Sequence, residues 1–211
     1  MHPHYSRKER LIDSAIHGLG VTGSTTAVAI LLAAVIPTRE SLSVLASVIY
    51  GACLIAMLWL SAAYNLVSHP DWKDRLRRYD HAAIFLMIAG TYTPFALVAI
   101  GGSMGYGLLA LVWLLAIAGM LLKLLRPRRL ERTSVIMYLA LGWIGLPALG
   151  LLFSSVSMSI LVLLGIGGLL YTLGVAFHLW ESLPYQNAVW HGFVLAAASC
   201  HFVAVLEALA E

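Results

Sequence analysis

Apolar residues run along this chain in five long stretches free of Asp, Glu, Lys and Arg: 14–38, 41–70, 81–122, 133–180 and 182–206. Three of them are 25–30 residues long, the length of one helix crossing a bilayer. The other two, of 42 and 48 residues, each hold two crossings and a turn. The pattern therefore predicts an all-α integral membrane protein, a bundle of seven transmembrane helices at about 16–36, 42–66, 81–100, 106–124, 134–153, 160–180 and 188–209. Gly101-Gly102-Ser103 divides the first double stretch and Ser154-Ser155-Val156-Ser157 the second. Pro94 and Pro147 fall inside spans three and five, where a kink is tolerated if neighbouring helices satisfy the freed backbone groups. Trp72, Trp180 and Trp190 stand at span ends, where interfacial aromatics belong.

Composition agrees. At 61% hydrophobic residues, the chain is too apolar for an ordinary soluble domain. Seven spans of about 22 residues use roughly 154 positions, so residues 1–211 read as a single seven-span domain. The apolar run after the basic N-terminus is long for a cleaved signal peptide and reads as a retained first helix. Cys53 and Cys200 both lie in apolar surroundings and read as small core residues, not as a disulfide or metal framework.

Charge sets the expected orientation. Arg7, Lys8 and Arg10 precede span one, and Lys73, Arg75, Arg77 and Arg78 lie between spans two and three. Lys123, Arg126, Arg128, Arg129 and Arg132 lie between spans four and five. All twelve fall on one side of the membrane, against Arg39 alone on the other. The positive-inside rule then expects a cytoplasmic N-terminus and an outside C-terminus. Basic residues held in short loops are topology signals, so no nucleic-acid partner is expected.

The membrane-embedded polar residues collect at one depth. Asp13 and His17 open span one, Asn65 and His69 close span two, and Asp80 and His81 open span three. His178 and Glu181 close span six, and Asn187 and His191 open span seven. His201 alone lies about 15 Å deeper, ten residues beyond His191 at 1.5 Å per residue. Asp13/His17, Ser61/Asn65 and Asn187/His191 are each four apart and so share a helix face. A ring of such groups suits a metal site, a proton relay or a polar ligand pocket. The plainer readings stand beside it: interfacial solvation for Asp13, Glu181 and His69, a helix N-terminal anion for Asp80, and an interhelical hydrogen bond for His191.

Three segments resemble the bacterial hemolysin III family of the progestin and adipoQ receptor superfamily. Glu9-Arg-Leu-Ile-Asp13-Ser-Ala-Ile-His17-Gly-Leu-Gly20 is similar to the opening pattern E-x-x-x-N-x-x-T/S-H-G-x-G. Ser61-Ala-Ala-Tyr64-Asn65 is similar to S-x-x-Y-H, and Asp80-His81-Ala-Ala-Ile-Phe-Leu-Met-Ile-Ala-Gly-Thr-Tyr-Thr-Pro94-Phe to D-H-x-x-I-x-x-x-I-A-G-T-Y-T-P-F. Pro184-Tyr-Gln-Asn187-Ala-Val-Trp-His191 is similar to P-Y-x-H-x-x-W-H. The resemblance covers essentially the whole chain. It implies a multi-pass protein of the bacterial inner membrane with membrane lipid as a partner.

The resemblance also implies a zinc site. In the family a histidine closing span two and two histidines opening span seven hold the metal, and an Asp opening span three positions water there. Those positions are Asn65, Asn187, His191 and Asp80, so two of three imidazoles are carboxamides here. An Asn carboxamide is a poor zinc donor. The zinc site is therefore expected to be degenerate, with metal held weakly through His191 and Asp80 or replaced by a polar network in which Asn65 and Asn187 bridge those two. A rebuilt site from Asp13, His17, Asp80 and His191 is the further alternative. By function, the resemblance implies binding of a lipid or other apolar ligand, or maintenance of membrane state. The alternatives are a metal-dependent lipid-amide hydrolase of ceramidase type, with Asp80 as base and Ser61 at the oxyanion, and a pore-forming cytolysin. No helix carries a polar stripe along its full depth, which ranks the pore last.

Overall fold

Every expected crossing is a helix in the computed structural model, which describes residues 6–125 and 131–210. Arg126, Arg128 and Arg129, counted above for topology, lie outside the described residues. Helix α1 (Arg7–Val35) starts well before its apolar run, because Ser6 and Glu9 form a capping box. The Ser6 hydroxyl accepts from the Glu9 N–H at 3.2 Å, and the Glu9 carboxylate accepts from the Ser6 N–H at 2.7 Å. One stripe of α1 is buried: His17, Gly20, Ser24, Val28, Leu31 and Val35, at spacings of three and four.

Helix α2 (Ser41–Leu66) follows a left-handed turn at Arg39, φ 59°. Helix α3 (Pro70–Pro94) begins at Pro70, not at 81. Its first turns carry Lys73, Arg75, Arg77 and Arg78, with Arg78 paired to Asp74 at 3.1 Å. Pro70 at the first helical position and Asp71 in the first turn suit a helix start. Hydropathy marks where a helix enters the membrane, which is later than where this one begins. After Pro94 the backbone widens into a π-helix, Phe95–Ile100, closed by the Gly101 N–H donating to the Ala96 carbonyl at 3.2 Å. Gly101 and Gly102, at φ 60° and 55°, make the turn into α4 (Gly102–Leu125).

Span five is broken where a kink was expected. Helix α5 (Glu131–Trp143) ends before a 3₁₀ turn, Leu146–Ala148, around Pro147, and the short α6 (Leu149–Phe153) completes the crossing. A neighbour satisfies the backbone groups freed there. The Tyr92 hydroxyl donates to the Gly142 carbonyl at 2.7 Å and accepts from the Gly145 N–H at 2.9 Å. Tyr92→Phe removes both bonds and is expected to lower stability by about 1–2 kcal/mol. A shift in the denaturant midpoint of the protein in mixed micelles checks this, and an unchanged midpoint refutes it.

Helices α7 (Met158–Leu179) and α8 (Gln186–Ala210) complete the set. Their packing closes a ring: α1 lies against α2, α2 against α3, α3 against α4, α7 against α8, and α8 back against α1. Span five bridges α3 and α4 to α7 and is the least buried crossing. Outward faces carry large apolar side chains such as Leu19, Leu114 and Ile136, as a lipid-facing surface requires. Cys53 is buried, Cys200 is half-buried, and both are free thiols.

Candidate functional site

The polar residues gather at the end of the bundle where the N-terminus and the α2–α3 and α7–α8 connections lie. On α1, Asp13 and His17 are one turn apart and face α8. Glu9, a turn earlier, holds that face in place: its carboxylate accepts from the backbone N–H of Tyr185, at 2.9 Å. Tyr185 is in the left-handed region at φ 60°, and its conformation turns the α7–α8 connection toward α1.

This brings Asp13 against His191. The His191 Nδ1 lies 2.6 Å from Asp13 Oδ1, its N–H donating to the carboxylate. Asp13 Oδ2 is 3.6 Å from His17 Nε2, and the two imidazole rings stand 4.3 Å apart at 58°. One carboxylate thus sits between two imidazoles, all three largely withdrawn from solvent. His17 Nε2 is fully buried and has no hydrogen-bond partner. The donor atoms of Asp13, His17 and His191 all lie within 4.8 Å of one another.

His191 also faces a large cavity. Asn65, Asp80, His81, His178, Asn187 and His191 line its polar end. Its volume is about 1590 Å³, and Ile84, Ile88, Leu108, Leu139, Leu152 and Leu161 line its apolar reach. Tyr171 and His201 meet on its wall, ring centroids 5.5 Å apart, with His201 Nε2 donating to the Leu164 carbonyl at 3.3 Å. The deep histidine is therefore part of the cavity.

The expected bridge from Asp80 to His191 through two carboxamides is absent among the described residues. Asn65 Nδ2 turns back along its own helix and donates to the Ser61 carbonyl at 2.9 Å. His191 gives its Nδ1 proton to Asp13, while Asp80 lies 3.4 Å from its chain neighbour His81. Asp80 is on the cavity wall but outside the three-donor cluster. Ser61 is not among the cavity-lining residues, because it sits one turn behind Asn65. His69 is exposed before the start of α3, as its interfacial reading expects. Trp190 differs from its interfacial expectation. It packs against His178, ring centroids 5.0 Å apart, and borders the cavity.

The zinc-type set implied at positions 65, 80, 187 and 191 does not fit that metal. It offers one imidazole, one carboxylate and two neutral carboxamides, and the carboxamides are poor donors to zinc. Glu9 has a role that the sequence reading missed, as the acceptor that ties α1 to the Tyr185 backbone. Glu9, Asp13 and His17 stand four apart in succession, one continuous face of α1.

Seven membrane-crossing helices with their polar residues gathered at one end define a multi-pass integral membrane protein. The family model described as "Haemolysin-III related" matches residues 5–202, and the chain belongs to that family. It is similar to Hemolysin-3 of Bacillus cereus, at 36% identity over 199 residues, 94% of this chain and 91% of that protein. It is similar to the Hemolysin-3 homolog of Bacillus subtilis (strain 168), at 34% over 202 residues, 96% and 95% of the two chains. A more distant relative is the human monocyte to macrophage differentiation factor, 31% identical over 170 residues, 76% of this chain and 69% of that one.

Proposed function

We propose that this protein binds a membrane lipid, or another long apolar molecule with one polar end, inside its bundle. The observation that carries the reading is the cavity of about 1590 Å³, with charged and amide side chains gathered at one end and a mainly apolar wall beyond, on which Tyr171 and His201 also stand. Drug-sized ligands occupy pockets of roughly 300–1,000 Å³, so this volume suits a chain-bearing amphiphile. Asn65, Asp80, His81, His178 and Asn187 would hydrogen-bond the head group, while the leucines and isoleucines of the apolar reach enclose the tail. The distribution of Lys and Arg supports a cytoplasmic N-terminus, which puts the polar end of a single 1–211 bundle at the cytoplasmic face. With bacterial hemolysin-3 proteins as relatives, the bacterial inner membrane is the compartment we assign.

Binding is favoured over lipid-amide hydrolysis by the side chains themselves. Two of the three positions that would carry imidazoles are carboxamides, and Ser61 does not face the cavity. Cytolysis finds no support in a full-length polar lining.

Gly165 provides the test. It lines the cavity, and a Cβ added there meets nothing within 4 Å. Gly165→Leu therefore adds side-chain bulk at the cavity wall without a clash at its Cβ. Mass spectrometry of lipid retained by detergent-purified protein is expected to find several-fold less in the variant. Equal retention defeats the binding reading. Release of fatty acid from ceramide-like amides by the unmodified chain, abolished in Asp80→Ala, replaces it with the hydrolase.

A further inference from the structure

We propose that Asp13, His17 and His191 form a divalent-metal site of the zinc class, with span one supplying two of its three side-chain ligands. The site uses neither Asn65 nor Asp80, although His191 also lines the large cavity.

Three observations point to it. The first is reach: the three donor atoms lie within 4.8 Å of one another. Ligands bound at about 2.0–2.2 Å around a tetrahedral ion stand roughly 3.3 Å apart, close to the 3.6 Å between His17 Nε2 and Asp13 Oδ2. The second is an orphan. His17 is 5% exposed, and its Nε2, directed toward the Asp13 carboxylate, is buried without a hydrogen-bond partner. A buried polar atom left unsatisfied costs about 1–3 kcal/mol, and such atoms call for an explanation. A cation between His17 and Asp13 supplies the partner that nitrogen lacks. The third is chemistry. Two imidazoles and one carboxylate form a recognised donor set for Zn²⁺ and its first-row neighbours, and the carboxylate offsets part of the ion's charge.

The surroundings suit the ion as well. A cleft of about 20 Å³ opens beside Asp13, bordered by Glu9, Arg10, Tyr185, Asn187 and Ala188. It gives an approach from the polar end of the bundle, and the Asn187 carbonyl oxygen is the neighbouring candidate for a further oxygen ligand. A proton fills the 2.6 Å contact between His191 Nδ1 and Asp13 Oδ1. With His191 coordinating through Nδ1, that proton leaves to solvent as the ion enters, and the Nδ1 lone pair becomes the donor. The Glu9 to Tyr185 hydrogen bond keeps α1 and α8 in register for this exchange.

The test uses the full-length protein in lipid nanodiscs, stripped with a chelator and then titrated with Zn²⁺, or with Co²⁺ for its visible absorption. One ion per chain is expected. Asp13→Asn, nearly isosteric and therefore the variant least at risk of misfolding, should weaken binding at least tenfold, as should His17→Gln. Asp80→Asn and Asn65→Ala should leave affinity and the cobalt spectrum unchanged. The proposal is overturned if the unmodified chain takes up no stoichiometric metal. It also fails if Asp80→Asn abolishes binding while Asp13→Asn retains it, or if all four variants weaken it equally. None of these outcomes bears on lipid retention, so the two readings fail separately.

Discussion

Asp13→Ala is expected to destabilise the protein by about 2–3 kcal/mol, while Asp13→Asn retains most of that stability. The alanine variant removes the only hydrogen-bond partner found for His191 Nδ1 among the described residues and the carboxylate beside His17 Nε2. Hydrogen bonds to charged groups contribute about 1.5–3 kcal/mol, and an abandoned buried donor adds its desolvation cost. Asparagine keeps an oxygen that can accept from the His191 N–H. The loss should appear as a lower free energy of unfolding in mixed micelles and as faster hydrogen exchange in the first turns of α1 and α8, the two helices the carboxylate joins. Equal stability of the alanine variant and the unmodified chain would show that the cluster contributes nothing to closing the ring.

Gly105→Ala should cost as much, for a steric reason. Gly105 sits in the first turn of α4 with its Cα against the π-helix, and an added Cβ would overlap the Ala96 carbonyl oxygen. That oxygen belongs to the backbone and already accepts from the Gly101 N–H, so it cannot rotate away as a side chain would. Overpacking of this kind costs about 1–3 kcal/mol, toward the upper end where backbone must move. At Gly107, where an added Cβ meets nothing within 4 Å, the same substitution should be close to neutral. Comparing unfolding midpoints of the two alanine variants checks the contrast, and equal shifts would refute it.

The crossings were legible because charge-free length is a direct consequence of bilayer thickness. The boundaries were less so. Pro70–Asp80 is helical yet charged, and a hydropathy pattern reads solvent along it, not coil. The break at Pro147 depends on a tyrosine hydroxyl from another helix, which no local pattern encodes. In the site, the pairs Asp13/His17 and Asn187/His191 were readable as shared helix faces. Which face meets which was not, since that depends on how the ring closes. The expected pairing of His191 with Asp80 gave way to Asp13 because α1, held by Glu9 to Tyr185, lies directly against α8. The carboxylate at position 13 was visible in the sequence as a departure from the family's Asn; its consequence required the neighbouring helix.

The hydrogen bond from the Tyr185 amide to Glu9 joins residues 176 positions apart. During synthesis the first helix leaves the ribosome long before the last, so Asp13 and His17 wait without their partner until nearly the whole chain has been inserted. Assembly of this end is thereby made conditional on completion. A chain truncated before its final helix has no way to bury that acidic face, and it presents quality-control proteases with an unsealed seam.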